Sequence, residues 1–176
     1  MERHRGFTLI ELMFTLMAAS VLLAWGIPSF REFRLNAERT REVNQFVQAV
    51  YFARSEAIKR NGVVSLCPSP DGLHCGGAGA AWQSGWIVFV NSDRDSPAVR
   101  EPDESLLHVY QSWPDGRILA NRTTLSFRAF GQSGVTATFT FCDRRGAAAA
   151  RAVVISQTGR PRVSDRKPSG KPLQCI

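Results

Sequence analysis

Two arginines near the C-terminus have the spacing of a phosphate-binding loop. Arg160 and Arg162 stand on either side of Pro161, directly after Gly159. Glycine permits a tight turn and proline fixes the backbone, so both guanidinium groups can project from one rigid loop. A guanidinium group suits phosphate because it offers two parallel N–H donors. A solvated hairpin turn is the alternative interpretation of the same residues.

The distribution of charge favours phosphate binding. The chain carries a formal net charge of +7. From residue 144 onwards, eight Lys or Arg stand against the single acid Asp165, whereas basic and acidic residues balance before that point. A polyanionic partner is therefore expected at this end of the chain. Besides Gly159, Arg160 and Arg162, the residues predicted to take part are Arg144, Arg145, Arg166, Lys167 and Lys171.

The cations of this region suit the phosphates of a polyanion such as a nucleic acid. Cations that contact phosphates ignore the identity of the bases, so the binding is predicted to be non-specific and sensitive to salt. Phe141 is the only aromatic residue from there to the C-terminus. Stacking of single-stranded bases is therefore not predicted for this part of the chain.

Four cysteines suggest two disulfides in an exported domain. Cys67 and Cys75 flank a loop rich in Pro, Gly and Asp, so they form the simplest local pair, which leaves Cys142 for Cys175. Sequence alone allows all three connectivities. A metal site at Cys67, His74 and Cys75 is the alternative, but a second ligand pair with zinc-site spacing is missing.

No motif predicts an enzyme or a cofactor. His74 and His108 are isolated, and no nucleophile motif accompanies them. The segment 91–95 spaces oxygen ligands as a calcium loop does, but Ser96 and Pro102 replace the required Gly and Glu. We therefore predict a non-enzyme without a metal or another cofactor.

An acidic residue also stands inside a long apolar run. The run covers residues 7–30 and holds one charged residue, Glu11. About 20 apolar residues suffice for a helix to cross a bilayer, so the run predicts a membrane helix. A carboxylate there is costly and is a functional candidate. Solvation by lipid headgroups near the helix end is the alternative.

The elements that must position these residues are one helix and a set of strands. Residues 31–60 continue the helix with one apolar stripe, and Asn61-Gly62 is a plausible stop with Gly62 in the left-handed conformation. The predicted fold is α+β, with the helix packed on a β-rich head. Strands are predicted over Val63–Cys67, Trp86–Asn91, Leu106–Gln111, Thr124–Phe130, Val135–Phe141 and Ala152–Ser156.

The N-terminus resembles the processing site of type IV prepilins and pseudopilins. The motif consists of a basic leader, Gly6, Phe7, Glu11 and the apolar run, in that order. In that family a prepilin peptidase cuts after the glycine and methylates the new N-terminus, here Phe7. The resemblance further implies that Glu11 pairs with the amino terminus of a neighbouring subunit as the filament assembles.

The rest of the chain resembles the GspH/FimT branch of pilin-like proteins. The similar segments are Ala53–Lys59, Val64–Cys67 and Trp82–Phe89. Members are minor subunits of type IV pili or of type II secretion pseudopili, with a pilin-type helix and a β-rich head. In the FimT members a C-terminal GRxR motif, here Gly159 to Arg162, is associated with DNA binding during uptake for natural transformation.

This resemblance implies the domain organisation, the location and the partners. Residues 1–6 are the leader, 7–30 the transmembrane helix, and 31–176 a periplasmic head made of a helix, 31–60, and a β domain, 63–176. The precursor is expected in the inner membrane, and the assembled subunit in a pilus at the cell surface. Expected partners are double-stranded DNA, major and minor pilin subunits and the prepilin peptidase. A purely structural subunit without DNA binding is the alternative.

Overall fold

One long helix forms the N-terminal third of the structure. The computed structural model describes residues 8–77 and 79–175. Helix α1 spans Leu9–Arg60 and includes Pro28. Its apolar part is long enough to cross a membrane. Gly6 and Phe7, at the predicted processing site, lie outside the described residues.

The C-terminal end of α1 corrects one sequence expectation. The helix stops at the predicted place, but Asn61, with a φ of 50°, adopts the left-handed conformation that was expected for Gly62. The amide of Gly62 donates to the carbonyl of Ala57 at 3.1 Å, and that of Asn61 donates to Ile58 at 3.2 Å. This pair of bonds is a Schellman motif, in which asparagine can replace the usual glycine.

The structure divides into two compact units between Glu38 and Arg39. The first unit contains the apolar part of α1. The second contains the last turns of α1 and all the strands. The boundaries expected at residues 6 and 30 depend on processing and on the membrane, and they stay predictions.

Two antiparallel sheets of four strands each form the head. The first sheet has the strand order β3-β2-β1-β5, and the second has the order β4-β6-β7-β8. Short 3₁₀ helices lie at Trp82–Ser84 and Gly146–Ala149. The strands are β1 Val64–Pro68, β2 Trp86–Val90, β3 Leu106–Tyr110, β4 Gly116–Ala120, β5 Leu125–Phe127, β6 Ala137–Asp143, β7 Arg151–Ile155 and β8 Pro161–Ser164.

The core lies between the last turns of α1 and the inner faces of both sheets. Phe46 is its centre, with its ring 5.5 Å from Trp86 of the first sheet and 4.4 Å from Phe139 of the second. The predicted apolar stripe of the helix lines this core, with Val43, Phe46, Val50, Ala53 and Ala57 buried. The α+β fold with a helix packed on a β-rich head is therefore confirmed.

Two strands were not predicted from the sequence. β4 begins at Gly116, inside the turn signal Pro114-Asp115-Gly116, and β8 begins at Pro161. Both are edge strands of the second sheet. An edge position explains β8, because the first residue of an edge strand is one of the few sheet positions that accepts proline.

Candidate nucleic-acid interface

The Gly-Arg-Pro-Arg segment joins β7 to β8 through a tight turn. The amide of Gly159 donates to the carbonyl of Ser156 at 2.8 Å, and the amide of Ser156 donates to the carbonyl of Arg160 at 3.2 Å. The hydroxyl of Ser156 also accepts a bond from the Arg160 amide at 3.3 Å. These bonds close the turn and fix the direction of the backbone at Arg160.

Gly159 occupies a position that no other residue fits. Its φ is +74°, in the left-handed region. A Cβ atom there would lie 2.4 Å from the carbonyl oxygen of Gly131 and 3.1 Å from the ring of Phe127. The turn is therefore packed directly on the neighbouring loop and on the core.

Arg162 lies on an edge strand, which corrects the expectation of one loop carrying both arginines. It is the second residue of β8 and stands opposite Val154 of β7. Val153 and Ile155 of β7 point into the core, so Val154 and Arg162 lie on the face of the sheet that is turned away from α1. The sheet fixes Arg162 more firmly than a loop would.

The side chains of both arginines point to solvent. Arg160 and Arg162 are exposed, and their guanidinium groups have no hydrogen bond or ion pair with the residues that the structure describes. Arg166 and Lys171 are likewise exposed, and their side chains have no such partner within 8–77 and 79–175. We call Arg160, Arg162, Arg166 and Lys171 the cationic edge. Lys167 differs, because its ammonium group donates to the side-chain oxygen of Gln174 at 2.6 Å.

The cationic edge follows β8 and its continuation. The extended chain from Arg160 to Arg166 spans about 20 Å. That length matches about six base-pair steps of duplex DNA at roughly 3.4 Å each. Several phosphates of one DNA strand can therefore lie along this edge together.

A disulfide holds the last part of the cationic edge in place. Cys142 of β6 is bonded to Cys175, with Cα atoms 5.8 Å apart. Leu173 is buried with Ala150 and Ala152 on the outer face of the second sheet. The tail therefore returns to the sheet, and Arg166 forms an isolated bridge with Pro172 on the way.

Arg145 does not join the cationic edge, because its side chain is paired. Arg144 and Arg145 follow β6 at the end of β7 that lies opposite the Gly159 turn, which is also the end at which β8 leads to Arg166. Arg144 is exposed, and its part in phosphate binding stays a prediction. Arg145 donates to Asp143 at 2.6 Å, and both side chains are largely buried. Burial raises the pKa of the Asp143 carboxyl, but hydrogen bonds from Arg145 and the charges of Arg145 and Arg39 outweigh it and lower the pKa overall. Arg145 is thus a structural partner of Asp143.

The first disulfide also has the predicted partners. Cys67 of β1 is bonded to Cys75, with Cα atoms 5.5 Å apart. The bond takes both sulfur atoms, so they do not offer the thiolates of the alternative metal site. His74 instead contacts Asp71 with 2.7 Å between Nδ1 and Oδ2. Hydrogen bonds from the His74 amide and ring lower the pKa of Asp71.

Glu11 has a local role that the sequence analysis missed. Its carboxylate accepts bonds from the amide and the hydroxyl of Thr8, both at 3.0 Å. The Glu11 amide donates to the Thr8 hydroxyl at 3.3 Å. This is a capping box at the start of α1, and the signal for it is the spacing Thr-x-x-Glu before an apolar run. Its pairing with a neighbouring subunit stays a prediction.

Comparison with known proteins finds similarity over both parts of the chain. Residues 42–159 match the family described as type II transport protein GspH, and residues 1–27 match the prokaryotic N-terminal methylation motif. A relative, the pilin-like protein PilA1 of Thermus thermophilus, is 31% identical over 170 residues, which are 91% of this chain and 98% of the relative.

The fold is similar to that of a solved minor pilin. Two crystal structures of the type IV minor pilin FimU of Pseudomonas aeruginosa match with TM-scores of 0.53 and 0.55, each at 22% identity. They cover 78% and 84% of this chain, and 98% and 99% of the FimU chains. At that level of identity the similarity supports the fold.

Proposed function

Because this chain belongs to the GspH family of type IV pilin-like proteins, we propose that it binds double-stranded DNA without sequence preference as part of a pilus. In this proposal the cationic edge holds the DNA, and the binding supports DNA uptake in natural transformation.

The family supports a pilus as the setting of the proposed binding. The chain is similar to minor type IV pilins and pseudopilins, which are structural proteins. Its precursor is anchored in the inner membrane by the apolar helix and is later assembled into a pilus. Prepilin peptidase and other pilin subunits are its partners.

One observation carries the proposal: four cations on one edge of the head are exposed and have side chains without partners in the described part of the chain. Charged residues that serve stability are usually paired, as Arg145 is with Asp143. Unpaired guanidinium groups keep their N–H donors available for phosphate oxygens. The nearest acid in sequence is Asp165.

The geometry predicts phosphate contact without recognition of bases. β8 is an edge strand of the second sheet, and what the cationic edge offers to DNA is a row of exposed charged groups on long side chains. Phosphate contacts position a protein on DNA but carry no sequence information. Binding by one subunit is therefore weak, and repeated subunits along a filament strengthen it by raising the effective concentration.

Protection of the sheet edge is the competing explanation. Natural proteins place charged residues and proline on edge strands to prevent pairing with other sheets, and β8 has Pro161 and Arg162. In that case the chain is a structural minor subunit whose basic tail contacts an acidic neighbour. If the arginines serve only to protect the edge, their removal leaves duplex affinity unchanged. If they bind DNA, their removal weakens it.

The test measures DNA binding by the full chain in detergent micelles. We expect R160Q/R162Q to weaken the binding of a labelled duplex at least about tenfold at low salt, since two phosphate contacts are lost. The slope of log K against log salt should become shallower by about 2. Fluorescence anisotropy at about 50 mM and about 200 mM salt measures both quantities.

The matched control removes the same charge elsewhere in the head. Arg117 is exposed on β4, the opposite edge strand of the same sheet, and two strands separate it from β8. R117Q should change duplex affinity less than twofold or so, whereas R162Q, which removes the same charge from β8, should weaken it more. Equal losses in R117Q and R162Q would show a general charge effect and would contradict the proposal.

A further inference from the structure

An open groove with three arginines lies beside the Gly159 turn. It has a volume of about 990 Å³, which is within the range of ligand-binding sites. Its walls are the loop after β2 and the segments on both sides of β5. Arg94, Arg122, Arg128 and the aromatic ring of Phe130 line it, and we call it the arginine groove.

Phe130 is the most unusual residue of the groove. Its side chain is 85% exposed, more than any other large apolar side chain among the residues of the head that the structure describes. It stands at the tip of a tight turn, in which the Gly131 amide donates to the carbonyl of Arg128 at 2.7 Å. An apolar ring held in water at such a tip is available to a partner.

The turn that carries Phe130 is held rigidly on three sides. The Arg54 side chain donates to the carbonyl of Gly131 at 2.8 Å, and the Cα of Gly159 packs against the same carbonyl. The buried hydroxyl of Ser133 donates to the carbonyl of Ser156 at 3.0 Å. The backbone that carries the ring is thus held in place before any ligand binds, which reduces the entropy cost of binding.

The charges of the groove are predominantly positive. The guanidinium groups of Arg94 and Arg128 have no hydrogen bond or ion pair with residues in the described ranges, while Arg122 donates to the carbonyl of Thr136 at 3.3 Å. The one acid in the lining is Asp95, whose two oxygens accept bonds from Asn91 and Val99, both at 2.9 Å. The groove therefore suits an anionic ligand.

The backbone of Arg122 is tied to the core. Its carbonyl accepts a hydrogen bond at 3.0 Å from the indole of Trp82, which is buried. Arg94 has a φ of 62°, an uncommon left-handed conformation for a residue with a side chain. The side chains of both arginines are exposed.

We propose that the arginine groove binds a single-stranded segment of nucleic acid, with a base stacked on Phe130 and phosphates held by Arg94, Arg122 and Arg128. An accessible aromatic ring beside arginines is the combination that binds single strands without sequence preference. In a duplex the faces of the bases are already stacked, so the ring has no base to contact. This inference rests on the proposed function in taking nucleic acid as the ligand.

Contact between the groove and the cationic edge supports the same ligand. Gly131 and Ser133 of the groove loop touch Gly159 and Ser156 of the turn that leads to β8. A single DNA strand that extends from the end of a duplex bound to the cationic edge can therefore enter the adjacent groove. A contact with a neighbouring pilin subunit through Phe130 is the rival use of the same ring.

The experiment uses the full chain in detergent micelles with labelled oligothymidylate and a labelled duplex as probes. We expect F130A to weaken oligothymidylate binding at least about fivefold, the lower end for loss of one base–aromatic stack. F130Y, which keeps the ring, should restore the affinity. F130A should change the affinity for duplex less than twofold or so.

Two controls separate the groove from the cationic edge. Y51A removes a half-exposed aromatic ring from α1, and it should leave oligothymidylate binding unchanged. R160Q/R162Q should weaken the binding of duplex more than that of oligothymidylate. If the chain ignores duplex but binds oligothymidylate in a Phe130-dependent way, the proposed function fails and the groove stands.

One set of results would overturn the groove proposal alone. F130A would leave oligothymidylate affinity unchanged while duplex binding still depended on Arg160 and Arg162. If the same variant also lost binding to another minor pilin, Phe130 would belong to a contact between subunits.

Discussion

Gly159 lies where the turn before β8 touches the loop that carries Phe130. Its left-handed φ and the carbonyl of Gly131, 2.4 Å from where a Cβ would stand, each oppose a side chain. Gly134 has a similar φ of +69°, but nothing lies within 4 Å of its missing Cβ. The two glycines therefore separate backbone strain from steric overlap.

We expect G159A to destabilise the head more than G134A does. The left-handed conformation costs a residue with a side chain about 1 kcal/mol or somewhat more, and both variants should lose that amount. G159A should lose roughly 1–3 kcal/mol more, because backbone must move to relieve the overlap. Urea unfolding of the two variants measures the difference. Equal losses would mean that the contact between turn and loop is looser than the structure indicates.

Asp143 is a largely buried carboxylate whose contribution to stability should depend on pH. Its pKa is lowered in the folded head because Arg145 donates to it and Arg39 is close, despite the opposing effect of burial. A lowered folded pKa means that the contribution is complete above the ordinary pKa of aspartate. It is lost as the pH falls through the folded value.

We expect D143N to lower the free energy of unfolding by about 3 kcal/mol at neutral pH, because it leaves the largely buried Arg145 without its counter-charge. The gap between wild type and variant should shrink as the pH falls below the ordinary aspartate range. Denaturant titrations of wild type and D143N at neutral and acidic pH measure this difference in the free energy of unfolding. A gap that stays constant with pH would show that packing around residue 143, instead of its charge, sets the loss.

The sequence predicted the chemistry of single residues better than their pairing. Arg160 and Arg162 were recognised from charge and from the neighbouring Gly and Pro, and they are exposed. Arg144 and Arg145 stand next to each other after Asp143, and the sequence does not tell which one folds back onto the carboxylate. That choice depends on the direction in which the turn leaves β6.

Among the larger elements, the C-terminal tail depends most on a covalent bond. The disulfide Cys142–Cys175 closes a separation of 33 residues, whereas Cys67–Cys75 closes one of 8. Loop-closure entropy predicts that Cys142–Cys175 stabilises the head by about 3.7 kcal/mol and Cys67–Cys75 by about 2.5 kcal/mol. The longer loop also holds Leu173 on the outer face of the second sheet.

We expect C142A/C175A to destabilise the head by about 1 kcal/mol more than C67A/C75A does. The tail variant should also bind duplex DNA more weakly, because Arg166 and Lys171 lose their fixed positions beside β8. Urea unfolding and duplex anisotropy on both variants measure these effects. The same duplex affinity in the two variants would place the binding on Arg160 and Arg162 alone.

The two strands that the sequence failed to predict, β4 and β8, begin at a glycine and a proline, which are residues that usually signal a turn. The Pro, Asp and Gly before β4 signal a turn, yet pairing with β6 extends the chain from Gly116 onwards. β8 has only four residues, and its partner β7 decides its conformation. In contrast, the stripe of α1 was predictable because a helix repeats its contacts every three or four residues.

At the scale of the whole chain, charge and apolar residues are divided between its ends. The apolar run lies at the N-terminus and the net charge at the C-terminus. This division was visible in the sequence, and the motif in front of the apolar run gave the resemblance to the pilin-like family. The arginine groove was not visible, because Arg94 and Arg128 come together only through the order of strands in the first sheet.

The bond between Cys142 and Cys175 has a consequence for where the protein becomes competent. Thiols stay reduced in the cytoplasm and pair in the periplasm. The Cys142–Cys175 bond is therefore expected to form only after the head has crossed the inner membrane. Under the proposed function, Arg166 and Lys171 take their fixed positions beside β8 at that stage, so duplex binding by the whole cationic edge begins after export.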